Sequence, residues 1–211
     1  MTVQTDTRER ILEAAIGLFW EKGYGETSLA ELMSRADVNA GSFYHFFKSK
    51  ENLLVAVLER YTEMLHSVLL APIYEKVSDP VERIFALLAR YREGIVMTNC
   101  TYGCPIGRLA LEIPPEMVEA TALLARNFEG WSNEVRKNLE AARNRFPRDL
   151  DFVRLSRFVL TVMEGGVMQS RAYRSVEPFD HAVAQLLDYF DRLLAQGASE
   201  RGSYWDALPK K

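Results

Sequence analysis

The chain has 211 residues, of which 48% are hydrophobic and 26% are charged, and its formal net charge is −3. This composition is that of an ordinary globular protein with room for one small domain and one larger one, and it excludes a disordered or fibrous chain. No apolar run reaches the roughly 18 residues that a membrane span needs. The two cysteines lie four residues apart, so we expect no disulfide framework and a reducing, cytoplasmic location.

Helical periodicity runs through nearly the whole chain, and glycine and proline mark the ends of the predicted helices. A first helix is expected over 7–22, and two short helices flank a turn at 36–38. Further helices are expected at 49–70, 80–97, 105–111, 116–144, 150–173 and 178–196, of which 105–111 is short. No window shows the alternation of a strand, so the sequence predicts an all-α fold of about nine helices.

The segment 27–50 predicts two short helices joined by a tight turn. Ser28 and Glu31 have the spacing of a capping box at the start of the first helix. Asn39 is a suitable N-cap for a second helix that begins with small residues and ends with aromatic ones. Small residues at a helix N-terminus allow a close approach to another surface, and the helix dipole there favours phosphate. The pattern is typical of a helix-turn-helix whose second helix enters the DNA major groove.

Two stretches in this region resemble the signature of the tetracycline-repressor (TetR) family. They are residues 11–24 and the sequence GSFYHFFKSK at 41–50, which Leu53 and Leu54 follow. The resemblance implies an N-terminal three-helix helix-turn-helix domain and a larger C-terminal helical domain for effector binding and dimerisation. We expect the first domain at 1–48, the second at 49–197 and a flexible tail at 198–211.

The resemblance also implies which residues contact DNA. Tyr44 and Lys50 match residues that bind the DNA backbone, and the start of the second helix matches positions that face base edges. The expected DNA-binding residues are Thr27, Ser28, Asn39, Ala40, Gly41, Ser42, Tyr44, His45, Lys48 and Lys50. Residues 1–50 carry six Lys or Arg against seven Asp or Glu, so one module alone should bind DNA weakly. Specificity then requires a homodimer that reads both halves of a palindromic double-stranded operator.

The block GCPIGRLALE at 103–112 resembles one found in a TetR subgroup that includes repressors of reductases for electrophilic compounds. In some of these proteins the matching cysteine senses oxidants or electrophiles. Cys104 would begin a short helix, where the dipole lowers the pKa of a thiol, and Arg108 follows one turn later. The alternative is that Cys104 is a buried structural residue. The paired carboxylates of Glu112 and Glu116 could suggest general acid–base catalysis, but we interpret their pairing as incidental.

In the resembled family the effector pocket lies among the C-terminal helices. The residues expected to bind the effector are Tyr91, Met97, Tyr102, Cys104, Arg108, Phe128, Trp131 and Met163. Such an apolar, aromatic cavity predicts a small hydrophobic or electrophilic effector. The three histidines lack the spacing of metal ligands, so neither a metal nor a cofactor is expected.

The last two helices have wide apolar faces, and one of them contains two adjacent glycines. Each glycine costs a helix roughly 1 kcal/mol relative to alanine unless another backbone approaches closely. This cost favours a dimer interface, and the alternative is burial within one subunit. The expected interface residues are Phe158, Val162, Gly165, Gly166, Leu187 and Phe190.

These observations favour a DNA-binding transcriptional repressor that a small hydrophobic or electrophilic molecule releases from its operator. One alternative is a redox- or electrophile-sensing regulator that uses Cys104, and another is a helical scaffold that does not bind DNA. An enzyme is not expected, because the sequence lacks a phosphate-binding glycine loop, a nucleophile elbow and a metal-ligand cluster.

Overall fold

The structure is a computed structural model that describes residues 3–206, with side chains for residues 6–200. The described residues form ten α-helices, one π-helical turn and one 3₁₀ turn, and they include no strand. The helices are α1 (Val3–Glu21), α2 (Leu29–Ala36), α3 (Ala40–Phe46), α4 (Lys50–Met64), α5 (Ala71–Lys76), α6 (Pro80–Met97), α7 (Pro105–Glu112), α8 (Val118–Ala141), α9 (Phe152–Tyr173) and α10 (Glu177–Asp206). The predicted all-α fold is confirmed. None of these helices is both long and apolar enough to cross a membrane.

Two predicted helix ends were wrong. A π-helical turn (Leu65–Leu70) links α4 directly to α5, so the helical stretch does not stop at residue 70. Pro72 lies in the first turn of α5, directly after the π-helical turn, and as a proline it supplies no N–H to the backbone hydrogen bonds of this helical stretch. The last helix also continues past residue 197 to Asp206, so most of the expected tail at 198–211 is helical, and residues 207–211 lie outside the described part.

The chain forms two compact units that differ from the predicted domains. The first comprises the residues up to Val68 together with Tyr102–Gly130, and the second comprises Leu69–Thr101 together with the residues from Trp131 onward. The first unit therefore contains α4 and α7 in addition to the three predicted helices. Helix α4 belongs there because it packs on α1 and because its residue Leu54 is fully buried.

The first unit is built around α1. Its residues Ile11 and Phe19 are almost fully buried, as are Leu32 of α2 and Phe43 of α3. Phe43 is fully buried, and Phe47 is buried beside it with a ring-centroid distance of 6.2 Å. One face of α3 is thus fixed in the core while its opposite face remains in solvent.

In the second unit, α9 and α10 pack along one another, and the two glycines of α9 lie in different surroundings. A Cβ added to Gly166 would lie 2.9 Å from the ring of Phe179 and 3.3 Å from its Cα. The close approach at Gly166 is therefore made by α10 of the same chain. This agrees with the alternative explanation of the glycine pair, burial within one subunit, and not with a dimer interface at Gly166. A Cβ added to Gly165 would meet nothing within 4 Å.

The different surroundings predict opposite effects of alanine at these neighbouring positions. Gly166→Ala should lower the free energy of unfolding by about 1–3 kcal/mol, because the added methyl group overpacks the contact with Phe179. Gly165→Ala should leave that free energy unchanged or raise it by up to about 1 kcal/mol, because alanine favours the helix. Urea denaturation of both variants at one protein concentration measures the two effects. Equal destabilisation by both variants would contradict this explanation.

Candidate nucleic-acid interface

Helix α2 begins with the predicted capping box. The Ser28 hydroxyl accepts the backbone N–H of Glu31 at 3.2 Å, and the Glu31 carboxylate accepts the backbone N–H of Ser28 at 3.0 Å. Lys22 of the preceding segment also donates to Glu31. The hydrogen bond from Lys22, followed by those from Ser28, lowers the pKa of the Glu31 carboxyl to about 2. The start of α2 is therefore fixed both to its own cap and to the end of α1.

The turn between α2 and α3 is held by an arginine that the sequence analysis missed. Asp37 ends α2 in the left-handed conformation with φ 51°. Arg10 of α1 donates to the carbonyl oxygen of Ala36 from Nε at 3.1 Å and from Nη2 at 2.6 Å, and also to the carbonyl oxygen of Asp37. The guanidinium satisfies carbonyl groups at the helix end that have no helical partner. No local spacing pattern identifies Arg10, because its partners lie 26 and 27 residues further along the chain.

Helix α3 presents a polar face that matches the predicted recognition surface. The Asn39 side chain caps it by accepting the N–H of Ser42 at 2.8 Å. Ala40, Gly41 and His45 are exposed, and Ser42 is partly exposed. Since its first residues are small, the backbone of α3 is open to a close approach by another molecule.

Tyr44 and Lys48 form the far end of this face. Tyr44 is 44% exposed although its ring contacts the buried Phe43 edge to face, with centroids 5.4 Å apart. Lys48 is exposed, and its Nζ donates to the carbonyl oxygen of Tyr44 at 3.2 Å. A phenol hydroxyl and an ammonium group in these positions are suitable donors for phosphate oxygens.

Two residues from the predicted DNA-binding set lie elsewhere. Thr27 is only 1% exposed, and its hydroxyl donates to the carbonyl oxygen of Gly23 at 2.7 Å. Its side chain is thus a structural part of the loop before α2, so we remove it from the proposed contacts. The Nζ of Lys50 lies 4.3 Å above the ring of Tyr24, and partial burial lowers the pKa of Lys50. A phosphate contact by Lys50 stays a prediction.

The residues predicted to bind an effector are divided between the two compact units. Tyr91, Met97, Trp131 and Met163 belong to the second unit, and Tyr102, Cys104, Arg108 and Phe128 belong to the first. The rings of Tyr91 and Trp131 are in contact with centroids 5.2 Å apart, and Met163 is buried. Met97 is 84% exposed at the end of α6, so we leave it out of the proposed pocket.

Cys104 caps the N-terminus of α7, as its position in the sequence predicts. Its Sγ accepts the N–H of Gly107 at 3.4 Å, and only 6% of the residue is exposed. Cys100 and Cys104 form no disulfide bond. Sensing by Cys104 stays a prediction. Within the described residues, no group of three His, Cys, Asp or Glu side chains is placed to hold a metal ion.

A groove of about 300 Å³ runs between α9 and α10 on the surface of the second unit. It is lined by Phe158, Thr161, Val162, Gly165, Gly166, Gln169, Ala182, Gln185, Leu186 and Tyr189. Two of the expected interface residues, Leu187 and Phe190, do not line the groove. Leu187 is 46% exposed. Phe190 is only 1% exposed and packs against Phe85 and Phe146 of the same chain, so its assignment to an interface was wrong.

The capped α2, the turn held by Arg10 and the exposed face of α3 define a helix-turn-helix DNA-binding protein. A family model described as bacterial regulatory proteins of the tetR family matches residues 11–57. A second model, described as the C-terminal domain of LmrA/YxaF-like transcriptional regulators, matches residues 80–185, about half of the chain. The chain belongs to the TetR family and is a DNA-binding transcriptional regulator, not an enzyme.

Several relatives match over most of their length. The chain is 27% identical to the transcriptional repressor DhaR of Mycobacterium sp. (strain GP1) over 179 residues, which are 84% of this chain and 88% of DhaR. It is 26% identical to the repressor NemR of Escherichia coli (strain K12) over 185 residues, covering 86% and 92% of the two chains.

Solved structures show the same fold. The crystal structure of reduced E. coli NemR superimposes with a TM-score of 0.74 at 26% identity, covering 85% of this chain and 94% of NemR. A TetR transcriptional regulator from Chloroflexus aurantiacus gives a TM-score of 0.77 at 26% identity, covering 90% and 97%.

The capping box predicts how the stability of the fold and the pKa of Glu31 depend on pH and on Ser28. Because the pKa of Glu31 is lowered, its carboxylate stabilises the fold above its ordinary pKa, and this stabilisation is lost as pH falls toward about 2. The Ser28 hydroxyl also donates to the Glu31 carboxylate at 3.0 Å. Ser28→Ala removes this donor, so the pKa of Glu31 should rise from about 2 toward the ordinary value of about 4.3. An NMR titration of the Glu31 side chain measures this change. Ser34→Ala, an exposed serine on the same helix, is the control and should leave the pKa unchanged.

Proposed function

We propose that the protein is a homodimeric repressor that binds a palindromic operator through two copies of α3 and leaves it when a small molecule binds. The single observation that supports this most is the exposed polar face of α3, with Tyr44 and Lys48 at one end and a backbone open to approach at the other. Ser28, Asn39, Ala40, Gly41, Ser42, Tyr44, His45, Lys48 and Lys50 are the proposed contacts.

The proposal of repression rests on the relatives. DhaR and NemR are both described as repressors, and each aligns with more than four-fifths of this chain. A repressor needs only to occupy its operator and to leave it on a signal. An operator-binding domain joined to a second helical unit supplies the two parts that this requires.

The groove between α9 and α10 supports dimerisation. Phe158, Val162 and Gly165 lie along it, and Phe158 is 47% exposed. Nothing lies within 4 Å of a Cβ added at Gly165, so the groove has room at this residue for a side chain of a second copy. A symmetric dimer reads two half-sites about 34–36 Å apart, which compensates for the weak binding of one module whose Lys and Arg residues are outnumbered by its Asp and Glu residues.

For the effector we propose a small hydrophobic or electrophilic molecule that binds near Tyr91, Trp131 and Met163. The rings of Tyr91 and Trp131 in contact supply an apolar aromatic surface, and Met163 is a buried residue of the same unit. A ligand there would act by favouring a conformation of the dimer in which the two α3 helices no longer match the half-sites.

Operator binding tests the proposal through Tyr44. Tyr44→Phe removes only the hydroxyl, so the affinity for operator DNA should fall about tenfold through loss of a hydrogen bond to a charged phosphate. The slope of affinity against salt concentration should stay the same, because tyrosine carries no charge. Fluorescence anisotropy with the DNA upstream of the protein's own gene measures both quantities.

Tyr173→Phe is the control, because Tyr173 is an exposed tyrosine on α9 that we do not place at the DNA. It should leave the affinity unchanged. Wild-type protein that shows no salt-sensitive binding to this DNA at any concentration would overturn the proposed function.

The dimer is tested by placing a charge in the groove. Phe158→Arg should convert the dimer to a monomer and abolish operator binding, because an unpaired guanidinium would be buried at the interface. Val153→Arg is the matched control, since Val153 is 45% exposed on the same helix and does not line the groove. Sedimentation analysis measures the mass of each variant. A dimeric Phe158→Arg protein would show that the interface lies elsewhere.

A further inference from the structure

The segment 102–112 is attached to the end of α1 by several polar contacts within the first unit. Trp20 of α1 donates from Nε1 to the carbonyl oxygen of Gly103 at 2.8 Å, and its ring contacts that of Tyr102 with centroids 5.0 Å apart. Arg108 of α7 donates to the carbonyl oxygen of Glu21 at 3.3 Å and also to that of Lys22. These two carbonyl groups belong to the C-terminal end of α1, where they lack helical partners.

Glu112 extends this attachment into the loop between α1 and α2. Its Oε1 accepts the Nε–H of Arg108 at 2.8 Å, and its Oε2 accepts the backbone N–H of Gly25 at 3.2 Å. Gly23 has φ 92°, and a Cβ added there would lie 2.6 Å from the Cδ of Glu112. The loop therefore needs glycine at residue 23 both for its backbone conformation and to make room for this carboxylate.

The fixed loop leads directly to the start of α2. The carbonyl oxygen of Gly23 accepts the hydroxyl of Thr27, so the loop is closed by a second hydrogen bond just before the capping residue Ser28. Lys50, another proposed DNA contact, lies over Tyr24 of the same loop. Glu112 of α7 thus holds the loop that leads to Ser28 and that contains Tyr24, the residue under Lys50. Both Ser28 and Lys50 are proposed DNA contacts.

We infer that Glu112 is a positioning residue for DNA binding: together with Arg108 it holds the α1–α2 loop, and through it the N-terminus of α2, in the orientation that the operator requires. This inference rests on the proposed function. It gives a role to a carboxylate that the sequence analysis judged incidental. Neither Glu112 nor Arg108 is a proposed DNA contact.

Removing the Glu112 carboxylate should change operator affinity in opposite directions if Glu112 acts by positioning the loop or only by its charge. A carboxylate near the DNA backbone repels phosphate, so its removal should strengthen binding if charge alone matters. Positioning predicts the opposite result. Glu112→Ala should weaken operator binding about fivefold to tenfold, because it removes the acceptor of the Gly25 N–H and the partner of Arg108.

Glu116→Ala is the matched control for charge. Glu116 is exposed four residues beyond Glu112, and its side chain forms no hydrogen bond or ion pair within the described part of the chain. This variant should bind the operator as tightly as wild type or slightly more tightly. Glu112→Gln keeps an oxygen that can accept from Gly25, so it should recover part of the affinity that Glu112→Ala loses.

Anisotropy titrations with full-length dimeric protein and the upstream DNA measure these affinities, and amide hydrogen exchange measures the loop. The Gly25 amide should exchange faster in Glu112→Ala than in wild type. Unchanged or tighter operator binding by Glu112→Ala, or unchanged exchange at Gly25, would overturn the inference while leaving the proposed function intact. Failure of the wild type itself to bind this DNA would overturn both.

Discussion

The recognition surface depends on the way helix α1 holds both ends of α2. Arg10, in the middle of α1, donates to the carbonyl groups that end α2, and Lys22, directly after the last residue of α1, donates to Glu31 in the first turn of α2. A helix of eight residues is too short to be stable by itself in water. The position of α2 is therefore fixed by α1. Because only the three residues 37–39 separate α2 from α3, the position of α3 is fixed in turn.

Several charged side chains around this surface already pair with other groups of the protein. Arg35 pairs with Glu21, Lys22 with Glu31, and Arg10 donates to the turn. These ion pairs are largely exposed, so each contributes little to stability, but each reduces the positive charge that is available to DNA. Long-range attraction to the phosphate backbone is thus weak, and binding depends on accurate placement of a few donors. The positioning role that we infer for Glu112 follows from this dependence.

The sequence predicted the parts of the site whose causes are local. The capping box at Ser28 and Glu31, the cap at Asn39 and the capping of α7 by Cys104 all follow from spacings of a few residues. The contacts of Arg10 with Ala36 and of Glu112 with Gly25 join residues 26 and 87 positions apart. Such pairs depend on the packing of whole helices, and a single sequence carries no pattern that reveals them.

The glycine pair of α9 shows how one local signal can have two separate causes. Helix propensity assigns the same cost to each of the two glycines, so the sequence suggested one explanation for both, a dimer interface. In the fold, residues one position apart on a helix differ by about 100° in direction, so they meet different neighbours. Gly166 is required by Phe179 within the chain, whereas Gly165 opens on the groove and has no such requirement. Only Gly165 therefore bears on association with a second copy, and the interface proposed here is centred on it and on Phe158 and Val162.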